Sequence, residues 1–280
     1  KVSNFFKQLI FKVKYKNKFD FSACYATYSY PASFVARCAS KNSCLWVHND
    51  YMNFYNNDKK VYKSFFEKLK AEDYRKIVFV SNHDKDVFIK EMPELKEKCV
   101  FCNNLIDYKK IQQKSNEPVN DLEREPNIIT FINMGRHDEK QKKLSRIIKA
   151  TKRLNVGDGN ESLEYKKQAQ DITNIKFLGT KKNPYPYLKM ADVLLMSSDF
   201  EGYPVVFIES EILEKPIITT NVSDSMKDIQ NKFGIVVEKS ENGVYLGMKE
   251  FLEKGFNTKK FNAEKFNQDI LKNVEELIGG

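Results

Sequence analysis

Short, wholly apolar runs recur along nearly the entire chain, each separated from the next by a longer stretch with helical spacing. A run that is apolar at every position suits a strand covered on both faces, as in a parallel sheet flanked by helices. The alternation therefore predicts an α/β fold made of βαβ units. The predicted strands are FDFSACYA (19–26), SCLWVH (43–48), KIVFVS (76–81) and CVFC (99–102). After an interval come NIITFINMG (127–135), NIKFLG (174–179), DVLLMS (192–197), PIITT (216–220) and GIVVE (234–238). Helical patterns fall at 59–71, 138–154, 204–214 and 245–254.

One stretch breaks the alternation. IQQKSNEPVNDLEREP (111–126) is polar and carries two prolines, so it reads as a connection between domains. A chain of 280 residues is long enough for two α/β domains of ordinary size. The expected division is an amino-terminal domain over 1–110, the connection 111–126, a carboxy-terminal domain over 127–258 and a terminal helical region over 259–280. In that last region Phe261, Phe266, Ile270 and Val274 form a loosely apolar face. The first domain offers about four strands and reads as partial. The helical pattern ending near Arg153 and Leu154 runs almost directly into NVGDG, leaving no room for a strand before those glycines.

Composition narrows the classes. Hydrophobic residues at 41% and charged residues at 30% describe a core-forming chain rather than a disordered one. No apolar run approaches the ~18 residues of a membrane span. The opening residues KVSNFFKQLIFKVKYKNKF lack a signal peptide's apolar stretch and cleavage site, so secretion is not expected. Five cysteines, an odd number scattered along the chain, fit a reducing, cytoplasmic setting better than a disulfide framework.

The net charge of +9 raises nucleic acid or anionic membrane as partners. Only six of the 47 basic residues are arginine, the residue favoured for bidentate phosphate and base recognition, and no nucleic-acid-binding motif is present. Nucleic acid is therefore disfavoured. The amino-terminal segment places Phe5, Phe6, Leu9, Ile10 and Val13 at helical spacing among Lys7, Lys12, Lys14, Lys16 and Lys18. Its plainer reading is a helix packed on its own domain with the lysines in solvent. The other is peripheral contact with an anionic membrane, at the inner face of the plasma membrane.

Residues 197–220, SSDFEGYPVVFIESEILEKPIITT, are the densest candidate for chemistry. They begin at the carboxyl end of a predicted strand, where open parallel sheets place their ligands. Glu201 falls in a loop, Gly202 permits close backbone approach, and Pro204 suits the first turn of a helix. A helix starting there directs free N–H groups and a positive dipole end at a ligand, which favours phosphate. Glu209, eight residues after Glu201, then lies within that helix. Carboxylates accept hydrogen bonds well from sugar hydroxyls, so the pair suits the two hydroxyl-rich ends of one ligand.

EGYPVVFIE (201–209) resembles the E-x7-E motif of the retaining, GT-B-fold glycosyltransferases of family 4. FINMGRHDEKQKKLSRIIKA (131–150) resembles that family's glycine-arginine loop, with a lysine beginning the next helix. GDG (157–159), NIKFLG (174–179) and FGIVVE (233–238) continue the likeness in family order. LWVHND (45–50), VFVSNHDKDVF (78–88) and NNLID (103–107) carry a weaker likeness through the first half. Lys143 stands where the family usually has glycine after the loop lysine.

The resemblance implies two Rossmann-like domains, with parallel sheets facing across a cleft, and a retaining sugar transferase. Its donor would be a nucleoside diphosphate sugar, UDP- or GDP-linked, and its acceptor a saccharide or lipid-linked saccharide, in bacterial surface polysaccharide synthesis. Arg136 and Lys142 would face the diphosphate, Lys142 being one of three lysines within four positions. Glu201 would contact the transferred sugar and Glu209 the ribose. Gly135 and the backbone of Gly202, Tyr203, Pro204, Val205 and Val206 would line the phosphates, and His48 would enter from the first domain. No obligatory metal or cofactor is implied. The alternatives are a nucleotide-sugar 2-epimerase or hydrolase on the same fold, or a non-catalytic nucleotide-sugar or nucleic-acid binding module. Cys99 and Cys102 form a CxxC, but without a second pair to complete a zinc site. Asp84-Lys85-Asp86 imitates a metal-binding D-x-D at what reads as an ordinary helix start.

Overall fold

The computed structural model describes residues 2–25, 29–48, 58–154, 168–169, 172, 174–201, 204–222 and 226–279. It divides into two compact units, residues 1–105 with 265–280, and residues 106–264.

The first unit is built on a four-stranded sheet in the order β1 (Ser22–Cys24), β2 (Ser43–Val47), β3 (Lys76–Phe79), β4 (Cys99–Phe101). Every pairing is parallel, with Leu45 opposite Ile77 and Phe79 opposite Phe101 in register. All of β2 is buried, which is why its sequence is apolar throughout rather than alternating. Helices α1 (Val2–Tyr15), α2 (Tyr30–Ala39), α3 (Lys59–Lys68) and α4 (Asn82–Glu91) belong to this unit. Ser29 caps α2, Asp58 caps α3 and Ser81 caps α4, each accepting a backbone N–H of the first turn. Phe88 meets Phe66 edge-on and Phe79 at a tilt in the core, beside Tyr62 and Tyr74.

The second unit repeats the plan. Its sheet runs β5 (Phe131–Ile132), β6 (Val193–Met196), β7 (Ile217–Thr220), β8 (Gly234–Val237), again wholly parallel. Among its helices are α5 (Tyr108–Lys114), α6 (Leu144–Leu154), α7 (Tyr185–Met190), α8 (Val205–Ile212) and α9 (Glu241–Lys254). One core cluster joins α6 and α9 to one side of the sheet through Ile148, Val244 and Met248. Another gathers Leu188, Phe207, Ile217 and Met226. The approach of β8 to β7 is close: a Cβ on Gly234 would lie 1.7 Å from the Ile217 carbonyl oxygen, so no other residue fits there.

The chain finishes with α10 (Ala263–Gly279), whose Ile270 and Leu277 are buried with Cys44, Trp46, Val78 and Cys102 of the first unit. Phe261, three residues after Thr258, packs with Phe233 of the second unit instead. Within 111–126, the residues up to Lys114 finish helix α5, which packs on α7 and α8.

NIKFLG (174–179) differs from expectation: it carries no strand. A strand exists only through its ladder partner, and this segment has none among the described residues. Its alternate residues Ile175 and Phe177 still face the core. The glycines of GDG (157–159) lie outside the described residues.

Candidate functional site

Strand β6 is central in the second sheet and buried along its length, so its carboxyl end delivers the following residues to a fixed place. Ser197 is the first of them. Its Oγ lies 2.8 Å and 2.9 Å from the carbonyl oxygens of Lys142 and Lys143, donating to the loop that precedes α6. Arg146 donates to the Ser197 carbonyl at 3.0 Å and pairs with Asp199 at 2.6 Å, where Lys143 adds a contact at 3.4 Å. The Asp199 N–H donates to the Gln141 carbonyl at 2.8 Å, and Gln141 Nε2 returns a bond to the Phe200 carbonyl at 3.2 Å. Two loops from distant parts of the sequence are thereby stitched side by side.

The loop before α6 has its own internal logic. The Asp138 carboxylate accepts the N–H groups of Lys140 and Gln141, and its carbonyl accepts that of Lys142 at 2.7 Å. These bonds favour a turn over a helix. Lys143 then takes a left-handed φ of 50°, and Glu139 receives the Ser145 N–H at 3.2 Å in the first turn of α6. Lys142 consequently sits on the loop, two residues before the helix, rather than at the helix start that the sequence suggests.

This stitching sets Lys142 Nζ 2.5 Å from Glu201 Oε1, with side-chain exposures of 17% and 7%. Gly135, with φ at 155°, lies alongside: a Cβ there would meet Lys142 Cε at 3.6 Å. That distance is ordinary contact, so the backbone conformation rather than crowding calls for glycine. Glu209 stands one turn into α8 and accepts a hydrogen bond from the Tyr185 hydroxyl at 3.1 Å. Burial pushes the Glu209 carboxyl above the usual carboxylate range, and the Tyr185 bond opposes that rise. Tyr185 itself is pushed up to about 12, first by burial, then by the charge of Glu209 and its hydrogen bond, and by Asp107.

Pro204 precedes α8 with an extended backbone and supplies no side-chain cap, and Val205 is exposed while Val206 is half-buried. The start of α8 thus offers backbone donors to a ligand. Gly202 and Tyr203 lie outside the described residues. Arg136 is exposed on the turn where the Asp138 N–H donates to its carbonyl at 3.0 Å. His48 belongs to the first unit, at the carboxyl end of β2, where its ring meets Tyr25 edge-on with centroids 4.9 Å apart.

The structure thus brings Gly135, Lys142 and Glu201 together and ties Glu209 to Tyr185. Tyr185, Gln141, Ser197 and the Arg146–Asp199 pair carry no spacing signal in the sequence; only the position of Ser197 at a strand end hinted at it. Of the CxxC thiols Cys102 is buried and Cys99 half-buried, and both are weakly acidic, Cys99 pushed up to about 12 and Cys102 to about 11 by desolvation. Among the described residues no group of three or more His, Cys, Asp or Glu side chains is placed to hold a metal.

Residues 127–254 match the family model described as Glycosyl transferases group 1, and so contain Gly135, Lys142, Glu201 and Glu209. An uncharacterized glycosyltransferase of Methanocaldococcus jannaschii is 29% identical over 211 residues, 66% of this chain and 49% of that protein. The UDP-Gal:alpha-D-GlcNAc-diphosphoundecaprenol alpha-1,3-galactosyltransferase of Escherichia coli is 26% identical over 204 residues, 65% of this chain and 52% of that one. The chain spans about half the length of these curated relatives. Among solved structures, Anabaena HepE in complex with UDP and glucose superposes with a TM-score of 0.69 at 14% identity, over 96% of this chain and 80% of that one. That likeness extends over both units, and the neighbours of this α/β architecture are GT-B glycosyltransferases.

Proposed function

We propose that this chain, whose residues 127–254 form a glycosyl transferases group 1 domain, is a retaining glycosyltransferase. It moves a sugar from a nucleoside diphosphate sugar to a saccharide or lipid-linked saccharide during surface polysaccharide synthesis, working at the inner face of the plasma membrane. The observation that carries this is the Lys142–Glu201 pair at the carboxyl edge of the second sheet, beside Gly135. An ammonium and a carboxylate held there suit a diphosphate and the sugar joined to it.

In this reading the donor's phosphate takes the place of Glu201 at Lys142 Nζ, and Arg136 and the first N–H groups of α8 complete the anion site. The anomeric carbon–oxygen bond breaks with its electron pair passing to the phosphate oxygen. The acceptor hydroxyl forms the new bond on the same face, and its proton goes to that departing oxygen. Lys142 and Arg136 stabilise the charge as it develops; losing one such donor costs on the order of 10²–10³ in rate. Glu201, released from Lys142, accepts hydroxyls of the transferred sugar, and Glu209, held by Tyr185, accepts those of the ribose. His48 contributes from the first unit. UDP-linked sugars are the first donors to test, because HepE was solved with UDP and glucose.

Calorimetric titration with UDP- and GDP-sugars tests the site. Glu209→Ala and Arg136→Ala are expected to weaken binding of the sugar nucleotide that the unaltered chain takes. Unchanged affinity in both variants would refute the assignments. Product analysis with and without a saccharide acceptor then separates transfer from epimerisation or hydrolysis.

A further inference from the structure

Helix α1 is apolar on its outer side. Phe6, Leu9, Ile10 and Val13 are 56%, 47%, 64% and 79% exposed. At about 100° per residue they fall within a single arc roughly a quarter of the helix wide. Gln8, Phe11 and Tyr15 lie on the opposite side and are the half-buried residues among the described side chains of the helix. Phe11 meets Phe34 of α2 with ring centroids 6.3 Å apart. The Asn17 N–H donates to the Cys38 carbonyl at 3.0 Å and the Phe19 N–H to the Ala39 carbonyl at 3.2 Å, anchoring the end of α1 to the end of α2. The helix therefore docks through its less apolar side and turns its aliphatic stripe outward. This is the reverse of a surface helix packed on its own domain.

The charge around that stripe is of one sign. Residues 1–19 contain six lysines, no arginine and no acidic residue. Lys7 and Lys14 flank the stripe on one side and Lys12 on the other, and Lys16 and Lys18 follow in the exposed turn with Phe19. Aliphatic groups between lysine shoulders match an anionic bilayer, where the stripe enters the acyl boundary and the ammonium groups stay among the headgroup phosphates. Nucleic acid would leave the aliphatic stripe in water. No helix among the described residues is long and apolar enough to cross a membrane, so the contact is with a surface.

We infer that the outer face of α1, Phe6, Leu9, Ile10 and Val13 with Lys7, Lys12 and Lys14, is a docking surface for an anionic lipid bilayer. The inference goes beyond the transfer reaction and does not rest on it, because its readout is vesicle binding without substrate.

The test is co-sedimentation of the full chain with vesicles of phosphatidylcholine alone and of phosphatidylcholine mixed with phosphatidylglycerol. Binding is expected to the mixed vesicles and to fall with added salt. Each lysine near an anionic surface contributes about fivefold in affinity, so Lys7→Gln with Lys14→Gln is expected to weaken binding by at least about tenfold. Ile10→Ser with Val13→Ser is expected to weaken it by a similar factor through lost apolar burial. Leu271→Ser, at an exposed position of α10, should leave it unchanged. These exposed substitutions should preserve the circular dichroism spectrum, so a loss of binding is not a loss of fold. Absence of binding by the unaltered chain, or binding that the α1 variants do not reduce, would overturn the inference. So would a dimer in vesicle-free solution that Ile10→Ser with Val13→Ser dissociates, since that would assign the face to a second copy.

Discussion

Replacing Lys142 with methionine keeps most of the length of the side chain and removes its charge, leaving Glu201 with 7% side-chain exposure beside an apolar group. Stranding a buried carboxylate costs about 3–5 kcal/mol. The 17% exposure of Lys142 lets some water reach the site, so the lower end of that range applies, about 3 kcal/mol. Glu201→Gln leaves the better-solvated lysine behind and should cost less, about 1–2 kcal/mol. The double variant has no charge to strand, so its destabilisation should fall short of the sum of the two by about 1–3 kcal/mol. Urea unfolding of the three variants, followed by a probe in the second unit, measures that coupling. Additive losses would show that the 2.5 Å pair contributes nothing to stability and would refute the reasoning. Nucleotide binding by the same proteins separates structure from function. Titrated with UDP alone, which lacks the sugar assigned to Glu201, the double variant regains binding along with stability if Lys142 serves only to hold Glu201; if Lys142 meets the diphosphate, stability returns and UDP binding does not.

Two further outcomes follow from the same geometry. Because burial raises the Glu209 carboxyl, the folded chain binds its proton more tightly than the unfolded chain does, so this group makes stability fall as pH rises from the ordinary carboxylate value through its raised one. Glu209→Gln should remove that decline and stabilise the protein at neutral pH in thermal melts, and an unchanged pH profile would exclude the effect. Gly234→Ala places a methyl group 1.7 Å from the Ile217 carbonyl oxygen and should prevent β7 and β8 from pairing, read as lost protection in hydrogen exchange at those strands; a normally protected sheet would contradict the close approach.

Much of the framework was legible from local pattern. The apolar runs around Leu45, Val78, Leu194 and Ile218 are buried on both faces, and that burial is what leaves no polar alternation in the sequence. The loop after β6 was legible too, because Glu201 and Pro204 interrupt an apolar run just where a strand must end. NIKFLG was misleading because its alternation satisfies a core face, while strand formation needs a neighbouring backbone as well. The fourteen-residue α1 was ambiguous for a related reason: amphipathic spacing shows that a helix has an apolar side, but not whether that side faces protein or solvent.

From the sequence alone came the α/β class, eight of the nine expected strands, which lie in two parallel sheets among the described residues, and the neighbourhood in which an acidic loop precedes a helix. These rest on interactions within a few residues, where burial and turn chemistry act directly on residue type. The tertiary structure alone decided which lysine of Lys140, Lys142 and Lys143 meets Glu201, since that depends on the Asp138 turn, the left-handed Lys143 and the Ser197 hydroxyl 55 residues away from Lys142. It also decided that Tyr185 holds Glu209 and that α1 turns its aliphatic stripe outward. Those contacts join parts of the chain whose separation is set by loop closure and packing, and residue spacing carries no record of either.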